Sequence, residues 1–187
     1  MRFSRKAQHV QVRLDAGEAG LLSALAADLL ALLGDDDADG GAGEDADPLS
    51  ALVGLSSGAV EAPRDPALAR LLPDAYGDDR EAADEFRRYT EGDLRAGKRA
   101  AAGTVLATLA PLAGKGGRLS LDREQADAWL GCLNDLRLVL GTRLEVTEET
   151  ELDPDADDPR SSALQVYGWL GWLQESLLSR LDPRGPG

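Results

Sequence analysis

The amino-acid sequence predicts a mainly α-helical fold: a single domain built as a bundle of about four to six helices, with a small edge sheet of short strands. Two observations lead to this prediction. Apolar residues recur at helical spacing over several long stretches, and only 4% of the residues are aromatic, so leucine and alanine must fill most of the core. A chain of 187 residues is long enough to bury such a core as one domain over residues 1–187.

The predicted helices are bounded by capping residues, prolines and glycines. Gly34 stops the first helix, prolines begin the two short helices, and Asp122 with Gln125 forms a capping box before the fifth. Gly141 is the predicted end of that fifth helix. The predicted helices cover about residues 15–33, 48–55, 66–72, 79–110, 123–141 and 162–181.

Three short segments carry the pattern of half-buried strands. Apolar and polar residues alternate over residues 10–14 and 144–147, and residues 118–121 form a third short segment of this kind. Together they predict the small edge sheet.

The last predicted helix has an unusually wide apolar face. Leucines at helical spacing form one stripe, and Trp169 and Trp172 extend it sideways. A helix of this kind lies at the centre of a bundle or also faces a second subunit. Central packing is the favoured interpretation, and the chain is predicted to be a monomer or a homodimer.

The net charge of −14 is concentrated in two acidic insertions, residues 35–47 and 148–158, each with seven acidic residues and no basic one. The rest of the chain is formally neutral and has local basic faces, so DNA binding is predicted to be weak if it occurs at all. The first insertion begins like a calcium-binding loop, but Ala46 stands where the closing bidentate glutamate would be needed. A solvated acidic segment is the better interpretation.

The composition argues against an enzyme. One histidine and one cysteine cannot form a zinc site or a catalytic thiol or hydroxyl arrangement, and no phosphate-binding glycine motif follows a predicted strand. We therefore expect no catalytic residues, no metal and no cofactor. The sequence also shows no signal peptide and no uninterrupted run of 18 apolar residues, which predicts a cytoplasmic protein without a membrane segment.

Residues 129–144 form the strongest helical pattern and hold the only cysteine, Cys132. Cys132 is the redox candidate, although its place beside the apolar stripe favours a buried, inert thiol. The same stretch carries Asn134, Asp135 and Arg137, which we expect to form a polar lock with Asp93 of the preceding long helix. In that prediction Asp93 lies on the apolar face of its helix and needs Arg137 as a partner, because an unpaired buried carboxylate is strongly destabilising.

A basic stripe lies on the same long helix, on the side predicted to face solvent. It is formed by Arg88, Arg95, Lys98 and Arg99. One interpretation is a solvated helix face. The alternative is an interaction surface for phosphate or for an acidic protein.

Three groups of residues together resemble a known protein family. They are residues 72–76 (LPDAY) with 85–95, Trp129 with 133–144 (LNDLRLVLGTRL), and 166–170 (VYGWL) with 173–176 (LQES). In this order they are similar to the actinobacterial domain-of-unknown-function family 2017, and the resemblance covers most of the chain.

The resemblance implies a cytoplasmic regulator of the oxidative-stress response. Such a protein would act in transcription with RNA polymerase and a stress sigma factor as partners. An alternative is a non-enzymatic interaction module linked to the Clp proteolysis machinery. A redox-sensing member would use thiols, but Cys132 alone cannot form an intramolecular disulfide and could react only by a mixed disulfide or by crosslinking two chains.

Overall fold

The computed structural model describes residues 2–6, 9–34, 64–73, 80–151 and 158–181. Within them, the prediction of a mainly α-helical fold with a small sheet is confirmed. The helices are α1 (Ala16–Leu33), α2 (Pro66–Leu71), α3 (Arg80–Leu109), α4 (Arg123–Arg143) and α5 (Ser161–Leu181), and the strands are β1 (Arg2–Lys6), β2 (His9–Leu14) and β3 (Gly117–Leu121). The predicted helix at 48–55, the acidic insertion at 35–47 and most of the second insertion lie outside the described residues.

Aspartates start three of the helices. The carboxylate of Asp122 accepts the backbone N–H of Gln125, and the Gln125 side chain accepts the N–H of Asp122, so the predicted capping box is confirmed. Asp15 and Glu18 form a second capping box at the start of α1. Asp65 accepts backbone N–H groups at the start of α2.

The sheet is antiparallel, in the order β1–β2–β3. Its central strand β2 buries Val10, Val12 and Leu14 on one face, as the alternating pattern predicts. The outer strand β1 was not predicted, because its basic and polar residues lack that alternation.

The predicted strand at 144–147 is wrong, and so is the predicted stop at Gly141. Helix α4 continues to Arg143, and the Val146 N–H then bonds back to the Gly141 carbonyl at 2.9 Å. Gly141 has a packing role instead, since a Cβ built there would lie 3.1 Å from Cε2 of Tyr167. A glycine that allows two helices to approach closely cannot be told from a helix stop in the sequence.

Helix α4 is the centre of the fold and contacts α1, α2, α3 and α5. Its Trp129 is fully buried, and the indole Nε1–H donates to the Thr108 hydroxyl of α3 at 3.0 Å. The buried indole therefore keeps its hydrogen bond, as a core tryptophan requires.

Helix α1 corrects the prediction about membrane segments in one respect. Its 18 residues have a mean hydropathy of 1.6, so by length and composition alone it could cross a membrane. Its buried residues nevertheless form one stripe at helical spacing that packs into the core. These residues are Ala19, Leu22, Ala26, Leu29 and Leu33.

Helix α3 is rotated relative to the prediction. Asp93, predicted on the buried apolar face, is exposed, and so are Leu94, at 42%, and Gly97 beside it. The buried and half-buried side of the helix instead carries a stripe that is charged at one end and apolar at the other. It runs through Glu91, Arg95, Lys98, Ala102, Val105 and Leu109.

Candidate functional site

The basic residues of α3 bind the end of α1. The guanidinium of Arg95 donates to the Leu33 carbonyl and, at 2.6 Å, to the carboxylate of Glu91. Arg99 donates to the Leu30 carbonyl at 3.4 Å. The last turn of α1 has no basic residue of its own, so these two arginines supply donors and positive charge to its C-terminal carbonyls.

Lys98 and Asp135 form a buried ion pair between α3 and α4. The Nζ of Lys98 lies 2.6 Å from Oδ1 of Asp135, and the two side chains are 16% and 4% exposed. Asp135 is the one charged residue among the described positions that is fully buried. The pair fixes the long helix against the central one.

The predicted solvent-facing stripe is therefore wrong for Arg95, Lys98 and Arg99. Arg95, Lys98 and Arg99 are partly buried and engage α1 and α4, so they are not a surface stripe offered to phosphate. The side chain of Arg88 lies outside the described residues. These basic residues lie on the inward side of α3 because each donates to a carbonyl or carboxylate there, which satisfies a buried positive charge.

Cys132 is 1% exposed, packed in the core on α4. Burial, with a smaller contribution from the negative charge of Asp135, raises the pKa of the Cys132 thiol to about 12. A thiol of this kind is protonated at neutral pH and sheltered from oxidants. The structure thus favours a packing role for Cys132 and weighs against its being a redox switch in the folded chain.

Arg137 is the centre of a polar cluster between α4 and α5. Its Nη1 donates to Oε1 of Gln174 at 2.8 Å, and Nη2 lies 3.4 Å from the Tyr167 hydroxyl. The guanidinium carbon lies 5.2 Å from the Tyr167 ring centre, and Gln174 reaches Asn134 at 3.5 Å. The cluster holds α5 against α4 with neutral acceptors around a positive charge.

The predicted pairing of Asp93 with Arg137 is wrong. Asp93 is exposed, and Arg137 faces α5 rather than α3. The residues of the polar lock do join helices, but Asp135 binds Lys98 of α3 while Asn134 and Arg137 bind α5. Because α3 is rotated, Asp93 faces solvent and needs no buried partner.

An open groove of about 590 Å³ lies beside this cluster and is the candidate functional site. Trp172, 48% exposed, and Leu178, 57% exposed, present large apolar surface there. Arg137 and Glu175 place one positive and one negative charge in the same groove, and neither forms an ion pair within the described residues. The remaining lining residues are Leu130, Tyr167, Gly168, Gly171 and Gln174.

One atom in the groove lacks a partner. Nε of Arg137 is buried and has no acceptor in the part of the chain that is described. It lies against Gly171 of α5, where a built Cβ would be 3.4 Å away. Nη1 and Nη2 each have one described acceptor and two N–H groups, so Arg137 retains capacity to bind a carboxylate.

Sequence reasoning missed Tyr167, Trp172 and Gln174 as members of a site. Tyr167 and Gln174 belong to the third group of residues that carried the family resemblance, which was the available signal. Trp172 was assigned to the apolar face of the last helix. Among the described residues, no group of three or more His, Cys, Asp or Glu is arranged to hold a metal ion.

The chain is similar to one protein family and to several mycobacterial proteins. It matches the family described as Domain of unknown function (DUF2017) over residues 1–181. The oxidative stress regulator AosR of Mycobacterium tuberculosis is 36% identical over 174 residues, covering 86% of this chain and 77% of the relative, and the Mycobacterium bovis protein of that name gives the same values. A Mycobacterium leprae relative, also named for oxidative stress regulation, is 35% identical over 88% of this chain and 78% of its own. No solved structure is significantly similar.

Proposed function

The chain belongs to the DUF2017 family, and on that premise we propose that it is a cytoplasmic transcriptional regulator of the oxidative-stress response without catalytic chemistry of its own. The observation that carries the proposal is the similarity to relatives named oxidative stress regulators over most of the chain. This similarity supports a regulatory role in oxidative stress. The proposal adds that the role is exerted on transcription, through RNA polymerase or a stress sigma factor.

The charge of the chain favours a protein partner over DNA. A net charge of −14 repels nucleic-acid phosphates, and binding to DNA requires a concentrated basic surface to overcome this repulsion. Arg95, Lys98 and Arg99 are engaged with α1 and α4, so they do not supply such a surface. Direct DNA contact is therefore expected to be weak, and recruitment through protein the main mode of action.

The state of Cys132 bears on how an oxidant signal reaches this protein. Its thiol is buried, and its raised pKa leaves little thiolate to react at neutral pH. We therefore propose that the oxidant is sensed by another component, and that this chain passes the signal on by binding.

Complementation tests the regulatory role. A host lacking the gene is challenged with peroxide, and survival and peroxide-induced transcripts are measured with the wild-type chain and with Cys132→Ala. We expect both chains to restore both responses. Unchanged transcripts in the deletion host would overturn the transcriptional role, and failure of Cys132→Ala to complement, although folded, would overturn the assignment of sensing to another component.

Affinity capture tests the partner. The tagged chain is purified from the host lysate before and after peroxide treatment, and the bound proteins are identified by mass spectrometry. Enrichment of polymerase subunits or a sigma factor is the expected result. Enrichment of Clp components without polymerase would replace the proposal with an interaction module of the proteolysis machinery. Retention on DNA at low salt, where phosphate contacts are strongest, would show a direct DNA mode.

A further inference from the structure

The groove beside Arg137 has the properties of a self-complementary surface. A two-fold interface must match itself, so each feature on one copy needs its complement on the same patch of the other. The groove carries one positive charge, Arg137, and one negative charge, Glu175, and both lack an ion-pair partner among the described residues. It also carries exposed apolar side chains and small residues within one helix.

The spacing of these features along α5 is symmetric about Leu173. Gly171, against which Arg137 lies, and Glu175 are each two residues from Leu173, and Gly168 and Leu178 are each five residues from it. An axial rise of about 1.5 Å per residue places the members of each pair at equal heights on either side of that level.

We propose that this groove is the interface of a homodimer, in which α5 packs antiparallel to α5 of a second copy about a two-fold axis at the level of Leu173. The axis carries Glu175 of the second copy to the level of Gly171, where it meets the guanidinium of Arg137. It likewise carries the exposed Leu178 to the level of Gly168, which also lines the groove. Both contacts occur twice.

The burial supports a second copy as the occupant. Trp172 and Leu178 are about half exposed, although α5 otherwise buries Leu170, Leu173 and Leu177 completely. A dimer would remove four large apolar side chains from water in all, two from each copy, which is the main favourable term in protein association. Within the groove the opposite charges of Arg137 and Glu175 cancel, so the described lining carries no net charge that would repel a second copy.

Sedimentation velocity and light scattering on the full chain test the dimer. At physiological ionic strength, where repulsion between the acidic chains is screened beyond about 8 Å, we expect a concentration-dependent mass that rises toward twice 19.7 kDa. Leu178→Ala should raise the dimer dissociation constant about tenfold or more, because the side chain is lost from both copies. Leu94→Ala removes a similarly exposed leucine from α3 and serves as the matched control, with no effect expected.

A charge exchange tests the two-fold geometry itself. Glu175→Arg and Arg137→Glu each place like charges across the interface, so each variant alone should be monomeric. Mixed together they should form a heterodimer, because every contact again joins opposite charges. Glu175→Gln is the companion variant if Arg137→Glu disturbs the contacts with Gln174 and Tyr167, and it should weaken the wild-type dimer less than Glu175→Arg does.

Several results would overturn the proposal. They are a chain that stays monomeric at all concentrations, a dimer that is indifferent to Leu178→Ala and Glu175→Arg, and folded charge variants that fail to associate when mixed. A monomer whose Trp172 fluorescence changes only on addition of a captured partner protein would assign the groove to that partner instead.

Discussion

The buried Lys98–Asp135 pair gives the sharpest test of how this fold is held together. In Lys98→Met the carboxylate of Asp135, whose side chain is 4% exposed, would lose its cation while remaining in the core. Removing one member of a buried pair typically costs about 3–5 kcal/mol, because the other charge is left without compensation. Since the Lys98 side chain is 16% exposed, we expect about 3 kcal/mol, or a decrease in Tm of roughly 6–12 °C for a chain of this size.

A double variant distinguishes the effect on stability of losing the ion pair from the effect of changing side-chain volume. In Lys98→Met/Asp135→Leu both charges are replaced by apolar side chains, and such replacements are often neutral or stabilising. We expect the double variant to lie within about 1 kcal/mol of wild type or above it. The single and double variants thus differ in sign or by several-fold, a pattern that loss of packing alone would not give.

Urea unfolding monitored by circular dichroism at neutral pH measures these free energies. Arg123→Met is the matched control, because Arg123 pairs with Asp127 at 2.8 Å on the exposed surface of α4. An exposed pair of this kind is worth less than about 0.5 kcal/mol. A cost of Lys98→Met no larger than that of Arg123→Met would refute the reasoning, as would a double variant as unstable as Lys98→Met.

Three further predictions concern single sites. The Cys132 thiol should react with a thiol reagent only on unfolding, with labelling at neutral pH following the concentration of denaturant, because burial raises its pKa to about 12; rapid labelling of the native chain would contradict this. Gly131→Ala should stabilise the chain by about 0.8–1 kcal/mol, because nothing lies within 4 Å of its built Cβ. Gly141→Ala should stabilise it less, because its Cβ would lie 3.1 Å from the Tyr167 ring. Equal increases in Tm for the two variants would disprove the contact. The pKa of Asp65 is lowered, because the raising effect of burial is outweighed by hydrogen bonds from Arg143 and from the backbone N–H groups of Ala67 and Leu68. The stabilising contribution of Asp65 should therefore be complete above pH of about 4 and disappear as pH falls through the folded pKa. The difference in Tm between wild type and Asp65→Ala should shrink accordingly in acid.

The sequence alone determined the kind of fold and most helix limits, because those depend on local signals. Asp122 with Gln125 and the glycine at position 34 act on backbone groups within a few residues, so their caps could be predicted from spacing. The alternation of buried and exposed residues in β2 could likewise be predicted from the sequence. The family resemblance was also contained in the sequence, since it rests on residue identity rather than on geometry.

The orientation of α3 was decided only by the tertiary structure. Apolar residues near Leu94 suggested one buried side, but the carbonyls at the end of α1 and the carboxylate of Asp135 made charged residues the better inward choice. Periodicity counts apolar side chains and does not register acceptors on another helix that satisfy a buried cation. The inward stripe ending in Val105 and Leu109, continued toward the N-terminus of α3, was the signal that could have corrected the prediction.

The same contrast between what the sequence determines and what the tertiary structure decides holds for Asn134, Asp135 and Arg137. Their presence on an apolar helix predicted that they join helices, and they do. Which helix each one contacts depends on the rotation of α3 and on the close approach of α5, where Gly141 meets Tyr167 and Gly171 meets Arg137. Partner choice between distant segments is set by packing in three dimensions, because no local rule links residues 37 positions apart.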